Sequence, residues 1–349
     1  MISIVWPISS YPAGAKTAVY VSNQHDGEIA AFLLDSVSGE LEYIGKTKAG
    51  DSVMALAVNP QHTRLYASLR AEPFSVVNFT IEESGKLASL STTAIDHDAC
   101  YVSLDRRGKY FLSASYYGSK VAVNKIGETG AVSANHMQVL DTGIKAHAIR
   151  LDASNRFALV TNLGSDQILQ YVFDENTGKL SPNNPAVVKT DAGAGPRHLV
   201  FSPDNKIVYV LNELDGTVII YRMDQQKGTL MELQSVSILP KDFSGKIWAA
   251  EIKITHNGRY LYTSERTSST ITAFQIEAKT GKLSYLYNMP TEKQPRAIDL
   301  SPDSQFVFVA GQLSGYLSVY KISEQTGGLT FLNRYEVGNS PSWIEVIEL

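Results

Sequence analysis

One five-residue pattern recurs seven times along this chain, and that repetition limits the possible fold more than any other feature. It reads Val19-Tyr20-Val21-Ser22-Asn23, Leu65-Tyr66-Ala67-Ser68-Leu69, Phe111-Leu112-Ser113-Ala114-Ser115, Ala158-Leu159-Val160-Thr161-Asn162, Val208-Tyr209-Val210-Leu211-Asn212, Leu261-Tyr262-Thr263-Ser264-Glu265 and Val307-Phe308-Val309-Ala310-Gly311. Successive starts lie 46, 46, 47, 50, 53 and 46 residues apart. A second series keeps step with it, a glycine with an aliphatic residue two positions on: Gly39/Leu41, Gly85/Leu87, Gly130/Val132, Gly178/Leu180, Gly228/Leu230, Gly281/Leu283 and Gly327/Leu329. These glycines stand in polar tracts where a hairpin needs positive φ. Alternating, β-branched segments such as Thr217-Val218-Ile219-Ile220-Tyr221 precede the turns and predict strands, with little helix anywhere. A third series precedes the first, as in Leu199-Val200-Phe201-Ser202-Pro203 and Ile298-Asp299-Leu300-Ser301-Pro302.

Each unit is therefore a four-stranded antiparallel sheet, and seven arranged radially make an all-β, seven-bladed β-propeller. The first unit lacks an innermost strand, while the chain ends on a lone one, Trp343-Ile344-Glu345-Val346-Ile347. The C-terminal strand is expected to complete the first blade and close the ring, leaving no open radial edge. Removing the last eight residues should then cost more than trimming an ordinary tail. The reading is a single domain over residues 1–349, with 1–16 as a leader to the first strand.

Composition narrows the function classes. With 44% hydrophobic and 19% charged residues the chain can bury a large core, and no run of eighteen apolar residues offers a membrane-spanning helix. A net charge of −4 without any lysine or arginine block argues against nucleic acid as a partner. The lone Cys100 rules out an internal disulfide framework and fits a reducing compartment. The start, Met1-Ile2-Ser3-Ile4-Val5-Trp6-Pro7, lacks the basic and apolar regions of a signal peptide, so a soluble cytoplasmic protein is expected. Oligomeric state stays open.

Alignment of the innermost strands gives one equivalent position per blade: Met54, Cys100, His147, Arg197, Ala250, Arg296 and Ser342. The residues just after the second strands form another ring: Gln24, Arg70, Tyr116, Leu163, Glu213, Arg266 and Gln312. Both rings are expected at one mouth of the central funnel. His147, Arg197, Glu213, Arg266 and Arg296, with Arg70, then converge from separate blades. Arginine binds carboxylate or phosphate through a planar fork, so such a mouth suits a small anion. Glu213 would keep some of the guanidiniums paired when the site is empty. Arg296, Arg70, Gln24 and His198 complete the candidate substrate-binding set. His198 alternates with Arg197 and reads also as a hydrogen-bonded structural residue facing the neighbouring blade.

Other chemistry finds little support. No G-x-S-x-G elbow, phosphate-binding glycine-lysine loop or H-E-x-x-H helix is present. Gly193-Ala194-Gly195 leads into a strand and reads as a loop. Asp96-His97-Asp98 has metal-ligating residue types but, without a second cluster, reads as a solvated loop. His62 and His256 fall in turns on the opposite face and read as solvated. Neither a cofactor nor a metal is expected.

Gly195-Pro196-Arg197-His198 with Val210-Leu211-Asn212-Glu213-Leu214, then Trp248-Ala249-Ala250-Glu251-Ile252, Glu265-Arg266-Thr267 and Gln294-Pro295-Arg296, resemble the seven-bladed propeller lactonases. That family includes bacterial propeller-type 6-phosphogluconolactonases and fungal 3-carboxy-cis,cis-muconate lactonizing enzymes. The similarity runs from about residue 17 to the C-terminus, and the bacterial branch looks closer. The resemblance implies a catalytic set of His147, Arg197, Glu213 and Arg266. It implies hydrolysis of a small anionic lactone, with 6-phospho-D-glucono-1,5-lactone as the leading substrate. His147 would act as general base, with Glu213 orienting it or taking its place. One of Arg197 and Arg266 would face the oxyanion, and Arg296 would help to hold the phosphate. A lactonase for another sugar acid, a carboxymuconate cycloisomerase and a non-enzymatic binding scaffold remain open alternatives.

Overall fold

The second strand of each blade is buried on both faces because each face meets a different neighbour. In β1 (Thr17–Asn23) every residue is buried, whereas β3 (Leu41–Lys48) at the rim is mostly open to solvent. Ala18 and Tyr20 pack against Val53, Leu56 and Phe79 of the next blade. Val19 and Val21, one residue out of phase, pack against Phe306, Phe308 and Leu317 of the last. Seven such clusters occur among the described residues, one between each pair of adjacent blades. Each buried Phe or Tyr contributes about 1.5–3 kcal/mol, so the seams between blades hold the ring together.

The structure, a computed structural model, describes residues 16–349. Except for Lys16, the leader expected over residues 1–16 lies outside the described residues. Twenty-eight strands form seven four-stranded antiparallel sheets. In blade 5 they are β16 (Pro196–Phe201), β17 (Ile207–Asn212), β18 (Thr217–Met223) and β19 (Leu230–Ser237), in chain order from the axis outwards. The inner strands β4 (Val53–Val58), β8 (Ala99–Leu104), β12 (Ala146–Leu151), β16, β20 (Ala249–Ile254), β24 (Pro295–Leu300) and β28 (Pro341–Glu348) contact one another in a closed circle. The C-terminal β28 pairs with β1, Thr17 opposite Glu348 and Val21 opposite Ile344, so the first blade is completed by the end of the chain as expected. One 3₁₀ turn, Leu163–Ser165, is the only helical element among the described residues.

The two sequence series prove to be partners. All seven hairpin glycines have positive φ, between 68° and 85°. A Cβ on Gly228 would overlap the Phe157 ring of the preceding blade. The tyrosine of the second strand donates to the hairpin glycine carbonyl of the next blade, from Tyr20 to Gly85 at 2.8 Å and from Tyr66 to Gly130, Tyr209 to Gly281 and Tyr262 to Gly327 at 2.9 Å. Register between blades is thereby set at the rim as well as in the core.

Candidate active site

Every inner strand begins with a β-bulge, and the bulge decides which side chain enters the funnel. In β12, Ala146 pairs with Asn162 and Ala148 with Thr161, so His147 is skipped. Arg197, Arg296, Cys100 and Ser342 are skipped in the same way, and the irregularities in β4 and β20 include Met54 and Ala250. A bulged residue leaves the ladder and its side chain is re-aimed. The second ring is tied alongside by backbone hydrogen bonds. Glu213 N donates to Gly195 O at 2.7 Å, Arg266 N to Trp248 O at 3.1 Å, Arg70 N to Ser52 O at 3.1 Å and Gln24 N to Ser340 O at 3.0 Å. Both rings therefore stand at one mouth.

Three of the expected residues form one charge cluster. Arg197 Nε donates to Glu213 Oε2 at 2.9 Å, and Arg266 Nη2 donates to the same oxygen at 2.8 Å. Glu213 Oε1 makes no hydrogen bond among the described residues. Arg266 is held further by the carbonyls of Trp248 (3.0 Å) and Ala249 (2.9 Å), with its guanidinium 3.9 Å from the Trp248 ring centroid. Arg197 also donates to Ala250 O. All three side chains are buried, yet burial is not decisive for Glu213. Desolvation pushes its pKa up, but the Arg266 and Arg197 guanidiniums outweigh it and hold the carboxyl below its usual range.

Arg296 stands apart. It is partly exposed and makes no hydrogen bond or ion pair among the described residues. Burial, then Arg197, brings its pKa down to about 10, so it remains a cation. His147 is 5% exposed, with Nδ1 buried and unpartnered. Burial, then the Arg197 and His198 charges, lowers its pKa well below the usual imidazole value, so the ring is neutral. No hydrogen bond joins it to Glu213, so the expectation that Glu213 orients His147 is corrected: both Glu213 contacts go to arginines. Arg70 pairs with Asp98 at 2.7 Å on the rim. Gln24 is held between Ser52 and Ser342, each at 3.2 Å.

Below the mouth the axis is plugged. His198 Nδ1 bonds Glu251 Oε1 of the next blade at 2.9 Å, while its ring lies 5.2 Å from Tyr101, 5.8 Å from Trp343 and 5.1 Å from His147. Tyr101, His198 and Trp343 come from blades 3, 5 and 1, and non-adjacent blades meet only across the axis. The funnel is thus a pocket with an aromatic floor. His198 belongs to that floor as well as bonding its neighbour.

Sequence reasoning missed the roles of six residues. Asp98 and His97 are corrected from a solvated loop to buried positions, 5% and 3% exposed, because Asp98 is held by Arg70 and Ser115 and His97 by Asp96 and Ser113. Trp248 lay within a quoted motif without a role. Glu251, Tyr101 and Trp343 directly follow ring residues in their strands, and that offset was the available signal. His62 and His256 are exposed turn residues, as expected. A cavity of about 1330 Å³ lies at the opposite end of blades 5 to 7, where five lysines and arginines are interspersed with four carboxylates. Its charges are of mixed sign.

The chain matches the family model described as Lactonase, 7-bladed beta-propeller over residues 13–346. It is 37% identical over 332 residues to the 6-phosphogluconolactonase of Serratia proteamaculans (strain 568), covering 95% of this chain and 99% of that protein. It is 35% identical over 334 residues to the 6-phosphogluconolactonase of Pectobacterium carotovorum subsp. carotovorum (strain PC1), covering 96% and 99%. The fold is similar to that of the periplasmic gluconolactonase of Pseudomonas aeruginosa, with a TM-score of 0.88 at 24% identity over 95% of this chain and 99% of that one.

Proposed function

The chain belongs to the seven-bladed β-propeller lactonase family, and from that premise we infer that it is a 6-phosphogluconolactonase, a carboxylic ester hydrolase that opens 6-phospho-D-glucono-1,5-lactone to 6-phosphogluconate. This is the activity in the names of its relatives, and it places the enzyme in the oxidative pentose phosphate route. A cytoplasmic place is part of the same proposal, since a sugar phosphate is retained where it is made.

The observation that carries the reading is the unpaired Arg296 beside the Arg197–Glu213–Arg266 cluster. Two arginines already share one carboxylate and are fixed by it, so Arg296 is left for the substrate's phosphate. His147 takes a proton from water, and the resulting hydroxide attacks the lactone carbonyl carbon. The oxyanion that forms faces one of Arg197 and Arg266, which the Glu213 and carbonyl contacts hold in place before reaction. Collapse breaks the bond to the ring oxygen, which leaves as the C5 hydroxyl after taking the proton back from His147. A neutral imidazole can accept the first proton, and the imidazolium so formed returns it. Glu213, with Oε2 shared by two guanidiniums and its pKa lowered, is a poor base and serves as the anchor of the cluster.

The test is loss of freshly generated lactone above its spontaneous hydrolysis. His147→Ala should lower kcat by roughly 10²–10⁴ with the fold intact. An unchanged kcat would remove His147 from this role. No acceleration by the parent protein would move the function to another lactone or to binding alone.

A further inference from the structure

We propose that Asp96, His97 and His136 form a site for one divalent transition-metal ion of the zinc class, on the outer side of the seam between blades 2 and 3. Asp96 and His97 lie between β7 (Leu87–Ala94), the outer strand of blade 2, and β8; His136 lies on β11 (Val132–Asp141), the outer strand of blade 3. One ligand atom from each falls within 4.8 Å of the others. Asp96 Oδ1 is 2.7 Å from His97 Nδ1 and 2.9 Å from His136 Nε2.

The remote ring nitrogens are already held. His97 Nε2 is 2.8 Å from Ser113 Oγ, and His136 Nδ1 is 3.1 Å from Asn124 Oδ1. The Asn124 amide is oriented independently, because its Nδ2 donates to Ser133 O at 2.8 Å. Its oxygen therefore faces the His136 ring, and His136 Nδ1 must carry the hydrogen. The other ring nitrogen, Nε2, points at the Asp96 oxygen that His97 already contacts, so three ligand atoms from two blades converge on one point. A metal ion there would use both imidazoles and Asp96 together, with Ser113 and Asn124 as the outer partners that such ligands need.

Two imidazoles and a carboxylate suit zinc or a neighbouring transition metal, whereas calcium and magnesium prefer oxygen alone. Bonds of about 2.0–2.2 Å require the ligand atoms to spread by several tenths of an ångström. Asp96, with 56% of its side chain exposed, has the freedom to move outward and admit water as the fourth ligand. Asp98, two residues on, holds Arg70, so the ion would brace the mouth's rim from outside.

The experiment is calorimetric titration of tag-free, chelator-stripped full-length protein with Zn²⁺, with Co²⁺ absorption as a second readout. One ion per chain, visible Co²⁺ bands and a Tm raised by Zn²⁺ are expected. His136→Gln should abolish all three, and Asp96→Asn, at an exposed position outside the core, should weaken binding roughly tenfold or more. Absence of saturable one-to-one binding would overturn the proposal. So would binding that is equal in the parent and both variants.

Discussion

Two levels of the same seven strands handle charge in opposite ways. At the mouth, Arg70, Arg197 and Arg266 pair with Asp98 and Glu213, and Arg296 has no partner among the described residues. Beneath the aromatic floor, Lys253 pairs with Asp299, and Arg150 stands near Glu345, whose carboxyl pKa is pushed up to about 7 by burial and then Asp299. Lys253 Nζ lies 2.9 Å from Asp299 Oδ1, Asp299 Oδ2 accepts from Val346 N at 3.0 Å, and Arg150 Nη1 donates to Leu199 O at 3.2 Å. These bonded charges tie blade 6 to blade 7, blade 7 to blade 1 and blade 4 to blade 5. Excess charge of one sign costs stability and is retained where a ligand supplies the missing partner. The lower level is structure, and the upper one is a site.

The largest effect expected from breaking this contrast comes from Glu213→Gln. It leaves two buried guanidiniums without their carboxylate, so stability should fall by about 3–5 kcal/mol in urea unfolding, and kcat should fall with it. Preserved stability would mean that the cluster is not a unit. Lys253→Met should cost about 3 kcal/mol by the same argument, yet leave kcat/KM within a few-fold, because the aromatic floor separates it from the mouth. A large loss of activity there would join the two levels.

Arg296→Gln reverses that pattern. With no partner to lose, its Tm should hold or rise, while KM for the phosphorylated lactone should increase roughly 10–100-fold, as for a lost charged hydrogen bond of about 1.5–3 kcal/mol. An equal increase for the unphosphorylated lactone would refute the phosphate role. The smallest effect is in the pH profile. The neutral His147 is the active form, so kcat/KM should rise with pH through its pKa. Burial and then Arg197 place that inflection below 6.5. Because Arg296 is among the charges lowering it, Arg296→Gln should move the inflection upward. An inflection at or above 6.5 in the parent protein would point to a different base.

The repeats made the ring legible because a second strand buried on both faces draws apolar residues to most of its positions, and a hairpin of this geometry requires glycine at one. Ring closure could be read from the missing first strand and the surplus last one. The two rings at the mouth followed from the same spacing, which is why His147, Arg197, Glu213 and Arg266 emerged from alignment. Pairing did not. Nothing in the spacing distinguishes Arg296, which is free, from Arg70, which is bound to Asp98, or turns Glu213 towards two arginines and away from His147.

Those choices depend on contacts between residues in different blades. A periodic sequence specifies what each blade presents to the axis, since that is a local matter of strand phase and bulge position. Which of the presented groups touch is settled only when seven blades close at a fixed radius. Tyr101, His198 and Trp343 then meet as a floor, and the charges above and below it are separated into a site and a brace.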